Sequence, residues 1–425
     1  MNAAVPADRA AISSTGALIA YGLLGLPLAM SALPVYVQIP AYYSTHWGLA
    51  LAGTGWVLFL ARLIDTLQDP LLGRWIDRLN GFQLKLWLHL GAFLLALGFA
   101  GLWLPHLAQG YLLLWLAVML VVAYTAHSML NIAYLAWGAK LGAEGQLLGA
   151  AGWREGAGLL GVIAASVIPS LILSQPRAAI NDGFVLYALL FTALLALSVW
   201  ALLRFAPAWP RQAVQAITWR EAVVLIGQNR RFRALLAPYF LNAISVSIPA
   251  TLALFFINDR IGAPQWAGAF LASYFIAAAI GLPLWVQLAR RIGVLCSWRW
   301  GMVLAVLSFC GAAVLGQGDT LAYLLVCIAA GLALGADLAL PPVLLAKVIP
   351  PDQAPASYYG VWTLLGKLAL ALAGLALPLL AWLQYQPGQP AGVALAWVYA
   401  GLPCLFKMAA LILLRRLAID SEATS

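Results

Sequence analysis

The chain has 425 residues, of which 64% are hydrophobic and only 9% charged, against about 25% charged in soluble domains, so a soluble globular fold is excluded. The formal net charge of +9 would suit a nucleic-acid binder, but the basic residues sit between apolar runs, as loop charges of a polytopic membrane protein do, and no nucleic-acid partner is expected. The cysteines, Cys296, Cys310, Cys327 and Cys404, lie in or beside apolar segments without CxxC spacing, so neither a zinc site nor a disulfide framework is suggested.

A membrane-spanning helix needs about 20 mostly apolar residues. In chain order the candidates are Ile12–Pro40, Leu49–Trp75, Leu84–Leu104, Gly110–Ala139, Gly152–Leu173, Gly183–Phe205, Arg233–Ile257, Trp266–Leu288, Ser297–Leu315, Leu321–Val348, Tyr358–Trp382 and Val393–Leu414. The first reads as an uncleaved helix rather than a signal peptide, because it is long and many spans follow it. With the N-terminus placed in the cytoplasm, nearly all loop Lys and Arg fall on the inner side, from Arg9, Arg74 and Arg78 through Arg211, Arg220 and Arg230 to Arg415 and Arg416; only Arg177 and Arg260 fall outside. That asymmetry places both termini inside.

The longest polar interruption falls midway and carries Thr218-Trp219-Arg220-Glu221, a capping-box start for a short interfacial helix. It divides the chain into a six-helix bundle over 1–206, a cytoplasmic linker over 207–232 and a second bundle over 233–425. Trp75 to Gly81 and Gln287 to Gly293 echo one another at the ends of the second helix of each half, which fits parallel repeats. The expected fold is an all-α membrane protein of twelve transmembrane helices in two pseudo-symmetric bundles. Pro27, Pro34, Pro40, Pro249, Pro341, Pro342 and Pro378 are expected to break or kink their spans.

Charges inside the spans mark the chemistry. Arg62, Asp65 and Asp69 are spaced i, i+3, i+7 and share a helix face in the second span. They either form a buried structural ion pair or, with two carboxylates one turn apart, offer oxygen ligands to a cation. In the fourth span Ser128, Asn131 and Tyr134 form one polar stripe beside His127, a cavity wall more than a helix–helix seam. Arg154 opens the fifth span as an interfacial anchor. Asp337 in the tenth span is a functional-site candidate and could pair with Lys367 in the eleventh, while snorkelling accounts for Lys407 in the twelfth.

The segment Ala61-Arg62-Leu63-Ile64-Asp65-Thr66-Leu67-Gln68-Asp69-Pro70-Leu71-Leu72-Gly73 resembles the second-helix signature R-x-x-D-x-x-x-D-P-x-x-G of the glycoside–pentoside–hexuronide:cation symporters, the melibiose-permease branch of the major facilitator superfamily. Asn131 to Tyr134, Gly152 to Glu155 and Trp362 to Lys367 resemble that family's fourth-, fifth- and eleventh-helix segments, in order. The resemblance implies a cation site at Asp65 and Asp69 with Gln68 and Ser128 nearby. It implies a substrate cavity at Asn131, Tyr134, Arg154, Trp362 and Lys367, to which Asp337 is added as the mid-span acid. Arg62, Gly73, Asp77 and Arg78 are assigned structural or gating duty. The acids that the family's sugar permeases carry on helices one and four are missing from Tyr21 to Pro27 and at Asn131.

The function expected is cation-coupled (Na+ or H+) secondary transport of a sugar, glycoside or related small solute across the inner membrane by alternating access, by a monomer among membrane lipids. No cofactor is expected beyond the coupling ion. The alternatives are an exporter or flippase of a lipid-like or anionic molecule, or a transport-inactive sensor. An intramembrane enzyme is disfavoured, since the chain has no G-x-S-x-G or H-E-x-x-H motif.

Overall fold

Proline placement decides where the apolar runs break into separate helices. The computed structural model describes residues 15–39, 42–49, 51–141, 144–173, 175–207, 224, 226–350, 353–385 and 392–414, and among them every regular element is helical. The first span is α1 (Thr15–Gly22) and α2 (Gly25–Val37), followed by α3 (Leu51–Asp77), α4 (Gly81–Trp103), α5 (Leu112–Ala139), α6 (Glu144–Leu173) and α7 (Arg177–Phe205). The second half holds α8 (Arg230–Phe255), α9 (Ala267–Ile292), α10 (Val294–Val314) and α11 (Thr320–Val348). Its eleventh span is α12 (Pro355–Ala373) and α13 (Ala376–Trp382); its twelfth is α14 (Val393–Ala396), a π-turn over Trp397–Gly401 and α15 (Leu402–Leu414).

The breaks share one cause. Leu23, Gly374 and Tyr399 lie four residues before Pro27, Pro378 and Pro403, and each sits in a break or π-turn. A proline offers no N–H to the carbonyl four residues back and its ring presses against it, so the helix opens there. Pro34, Pro249, Pro341 and Pro342 lie inside continuous helices, so none of them breaks its span. Arg9, Pro40, the linker's Arg211 and Thr218 to Glu221, and Arg415 and Arg416 lie outside the described residues.

Among the described residues, ten helical spans are long and apolar enough to cross a membrane. The two remaining spans are α3 and α12–α13. α3 carries Arg62, Asp65, Asp69, Arg74 and Asp77, and α12 carries Lys367 among Ser, Thr and Tyr residues. These two polar helices pack on one another across the halves. A Cβ on Gly73 would lie 2.3 Å from the carbonyl oxygen of Ala356, and one on Gly360 would lie 2.6 Å from that of Asp69. Only glycine permits backbones to approach so closely, and small residues at a crossing are what lipid-embedded helices use to associate. A second seam between halves is apolar: Leu159 of α6 is buried against Ala278 and Leu282 of α9 and Leu334 and Ala339 of α11.

Candidate functional site

The close approach of α3 and α12 brings Lys367 onto the acidic face of α3. Its Nζ lies 2.7 Å from Asp65 Oδ1, 2.9 Å from Asp69 Oδ1 and 2.8 Å from Ser128 Oγ of α5, with the Asp65 carbonyl oxygen at 3.3 Å. Asp69 Oδ2 is also 2.9 Å away, near enough for ion pairing but not aligned as an acceptor. An ammonium has three N–H groups, and the two carboxylates and the serine take all of them. Ser128 in turn donates to Asp65 Oδ1 at 2.9 Å, Gln68 Nε2 lies 3.3 Å from the same oxygen, and Thr125 Oγ1 donates to Gln68 Oε1 at 2.9 Å.

The cluster therefore gathers Asp65, Asp69, Gln68 and Ser128, as the sequence assigns them, around an ammonium that the sequence places elsewhere. Asp69 is fully buried and Asp65 only 3% exposed, so their charge has to be balanced within the protein. The balancing cation is Lys367, not the Arg62 of the sequence's ion-pair alternative. With both acids ionised the trio keeps one net negative charge. Thr125 was not singled out from sequence, although it stands one turn before Ser128 on the same stripe.

The expected pairing of Asp337 with Lys367 is also corrected. Asp337 Oδ2 is 2.5 Å from Nζ of Lys407, while Asp337 Oδ1 accepts from Asn242 Nδ2 at 3.1 Å and Trp298 Nε1 at 2.9 Å. Lys407 does not snorkel: it and Asp337 are each 5% exposed. This pair joins α11 to α15, with α8 and α10 donating from the sides, and lies wholly within the C-terminal half.

The remaining candidates occupy separate places. Tyr134 donates to the Tyr21 carbonyl at 2.7 Å and Tyr21 donates to the Tyr134 carbonyl at 2.9 Å, strapping α1 to α5. Arg154 is paired with Glu155 at 2.7 Å and borders a small cavity between the halves, shared with Tyr21, Pro342 and Tyr359. Trp362 stacks on Tyr239 of α8 with ring centroids 3.4 Å apart. Asn131 is half-buried and Arg78 exposed.

Asp77, at the end of α3, accepts from the backbone N–H groups of Ala356 at 2.8 Å and Ser357 at 2.7 Å, and from Ser357 Oγ. A carboxylate at these positions satisfies the free donors of the first turn of α12 and complements its dipole. Lys347 of α11 meets Glu144 of α6 at 3.2 Å. Both contacts join the halves at the end of the bundle where α7 stops and α8 starts.

The internal pair generates a stability test. Lys407→Met leaves Asp337 buried without its cation and should cost about 3–5 kcal/mol, read as a lower melting temperature of the purified protein. Asp337→Asn combined with Lys407→Met should recover most of that loss. A Lys407→Met variant as stable as the parent would contradict the pairing.

The sequence profile of a family described as MFS/sugar transport protein matches residues 18–421. No curated protein matches the chain significantly in sequence. Among solved structures, the chain superposes on a bacterial homologue of the iron transporter ferroportin in its outward-facing state, with a TM-score of 0.74 at 17% identity, covering 95% of this chain and 99% of that one. It superposes on the E. coli fucose:proton symporter FucP with a TM-score of 0.69 at 16% identity, covering 95% and 97% of the two chains. For the proton:xylose symporter XylE bound to 6-bromo-6-deoxy-D-glucose the values are 0.67, 14%, 92% and 93%. At these identities the likeness shows a shared fold alone: twelve helical spans in two bundles. The family match carries the assignment and bears out the resemblance read from the second helix: the chain belongs to the MFS/sugar transport protein family of the major facilitator superfamily.

Proposed function

We propose that this protein is a cation-coupled secondary transporter of a sugar, glycoside or related small solute, in which the coupling cation competes with Lys367 for Asp65 and Asp69. The observation that carries the reading is the placement of the Lys367 ammonium among Asp65, Asp69 and Ser128, on a helix of the opposite half. A cation-coupled carrier needs a site whose occupancy changes how the halves hold each other. A Na+ or H+ arriving at the carboxylates supplies the charge that Lys367 otherwise supplies, so α12 no longer needs to stay on α3. A substrate that then engages the freed lysine, or the cavity by Arg154, favours the rearranged state. Ion and substrate thus bias one equilibrium from adjoining positions.

Support for a sugar substrate comes from the family's description and from the fucose and xylose symporters that share the fold. The proposed domain division follows the linker, with bundles over 1–206 and 233–425. The proposed setting is the inner membrane with both termini cytoplasmic, because the end of the bundle where α7 stops and α8 starts carries Arg78, Lys85, Lys140, Arg204, Arg230, Arg290 and Arg291. On this orientation Asp77 on α12 and Glu144 on Lys347 close the cytoplasmic end.

Two outcomes are expected. Asp65→Asn and Asp69→Asn, in reconstituted vesicles, should each reduce Na+- or H+-driven accumulation to the level of empty vesicles while substrate exchange persists. Accumulation against a gradient by the double variant would sink the cation-site assignment. A cysteine placed at Gly81, the first residue of α4, should react with an impermeant thiol reagent only from the cytoplasmic face, and labelling from the other face would reverse the orientation.

A further inference from the structure

At the end of the bundle opposite the start of α8, the N-terminal half forms a half-open recess of about 680 Å³ that the central cluster does not use. Connections distant in sequence build it. Tyr42, His46 and Trp47 come from the π-turn Tyr42–His46 and its exit, Gln109 from the turn that opens α5, and Asn181 from the first turns of α7. The turn is fixed from both sides. Leu49 N donates to the Tyr43 carbonyl at 3.0 Å, and Gly48 takes a φ of +70°, which residues with a side chain rarely adopt.

The aromatic side chains are held in place by the layer beneath them. The Tyr42 hydroxyl donates to the Trp103 carbonyl at 3.0 Å, and its ring meets those of Trp103 and Phe184 at 5.5 and 5.1 Å. His46 stacks on Tyr42 at 5.4 Å and 17°, and Trp47 stands at 73° to His46. The result is a rigid aromatic corner. The indole N–H of Trp47 is buried and faces the Tyr42 hydroxyl without a well-aligned hydrogen bond to it. A buried donor so poorly satisfied favours a better acceptor brought by a ligand or a water. Gln109 and Asn181 are exposed amides, each able to donate and to accept. None of the described lining residues is Asp, Glu, Lys or Arg.

We propose that this cavity binds a neutral polyhydroxylated ligand, a hexose or small glycoside, at a site separate from the central cluster. Amides that donate and accept match hydroxyl groups, which do the same, and aromatic faces suit the C–H faces of a sugar ring. With no Asp, Glu, Lys or Arg among the described lining residues, an ionic ligand finds no counter-charge among them to offset its desolvation. The volume is ample for such a ligand. All of these residues belong to one half, so the site does not open or close as the halves move. It serves as a first point of capture outside the alternating cavity. The capture role rests on the sugar-transport reading given above; the binding chemistry does not.

Saturation-transfer NMR on the purified full-length protein in detergent, with methyl α-glucoside as the probe, tests this. Transfer to the sugar ring protons is expected in the parent and in Arg154→Gln, which disturbs the central substrate cavity, with a several-fold loss in Gln109→Ala/Asn181→Ala and in Trp47→Phe, which keeps the ring and removes the N–H. Gln109 and Asn181 are exposed, so their double variant is expected to fold. No transfer in the parent would overturn the proposal, as would transfer unchanged in both cavity variants. Stronger transfer to glucuronate or phosphocholine than to the glucoside would overturn it as well. A signal lost in Arg154→Gln but kept in the cavity variants would place the sugar centrally, leaving the transport reading standing and this site refuted. Conversely, cavity binding without any uptake in vesicles would refute the transport reading and leave the site.

Discussion

The structure depends on how two carboxylates remain buried in an apolar bundle. Asp65 and Asp69 are nearly without solvent, and an isolated charge at such depth is not tolerated. Lys367 answers them from the other half, and the surrounding features serve that contact. Gly73 and Gly360 let α3 and α12 touch backbone to backbone. Ser128 shares the ammonium, Gln68 donates to Oδ1 of Asp65, and Thr125 holds Gln68 in place. Asp77 fastens the first turn of α12 at the same crossing. The two least apolar spans are therefore the two that shield each other.

The C-terminal half carries a second buried acid–lysine pair, and its setting is different. Ser128 and Asp337 stand equally far from the ends of their helices at Ala139 and Val348, so the two sites lie at a similar depth in their halves. Asp337 and Lys407 belong to one half, and both carboxylate oxygens are occupied. Nothing in a relative motion of the halves would separate them. Lys367 lies across the interface, where the same motion must break or keep its bonds. The first lysine is a strut, and the second is placed to be a switch.

Much of this was legible in the chain. The apolar runs mark every span, and the i, i+3, i+7 charges mark the acidic face of α3. Partners were not legible, because spacing along one helix says nothing about which helix stands opposite. Arg62 is the nearest cation to Asp65 in sequence, yet the ammonium that reaches it comes from a residue 302 positions away. Lys407 was read as snorkelling because it lies near a helix end, but its face of α15 points into the half, toward Asp337. Proline positions were informative only where the surrounding helix could open: Pro27 and Pro378 mark breaks, whereas Pro341 and Pro342 are absorbed into α11. The cavity behind Tyr42 combines three connections and has no sequence pattern at all.

The central claim is that a tethered ammonium and a mobile cation compete for the same oxygens. The most direct measurement is the cation affinity of the purified protein, Na+ by titration calorimetry and H+ by proton uptake, compared between the parent and Lys367→Met at fixed ionic strength. Competition requires that removing the ammonium tighten the binding of the coupling cation. Equal or weaker affinity in Lys367→Met would contradict the account.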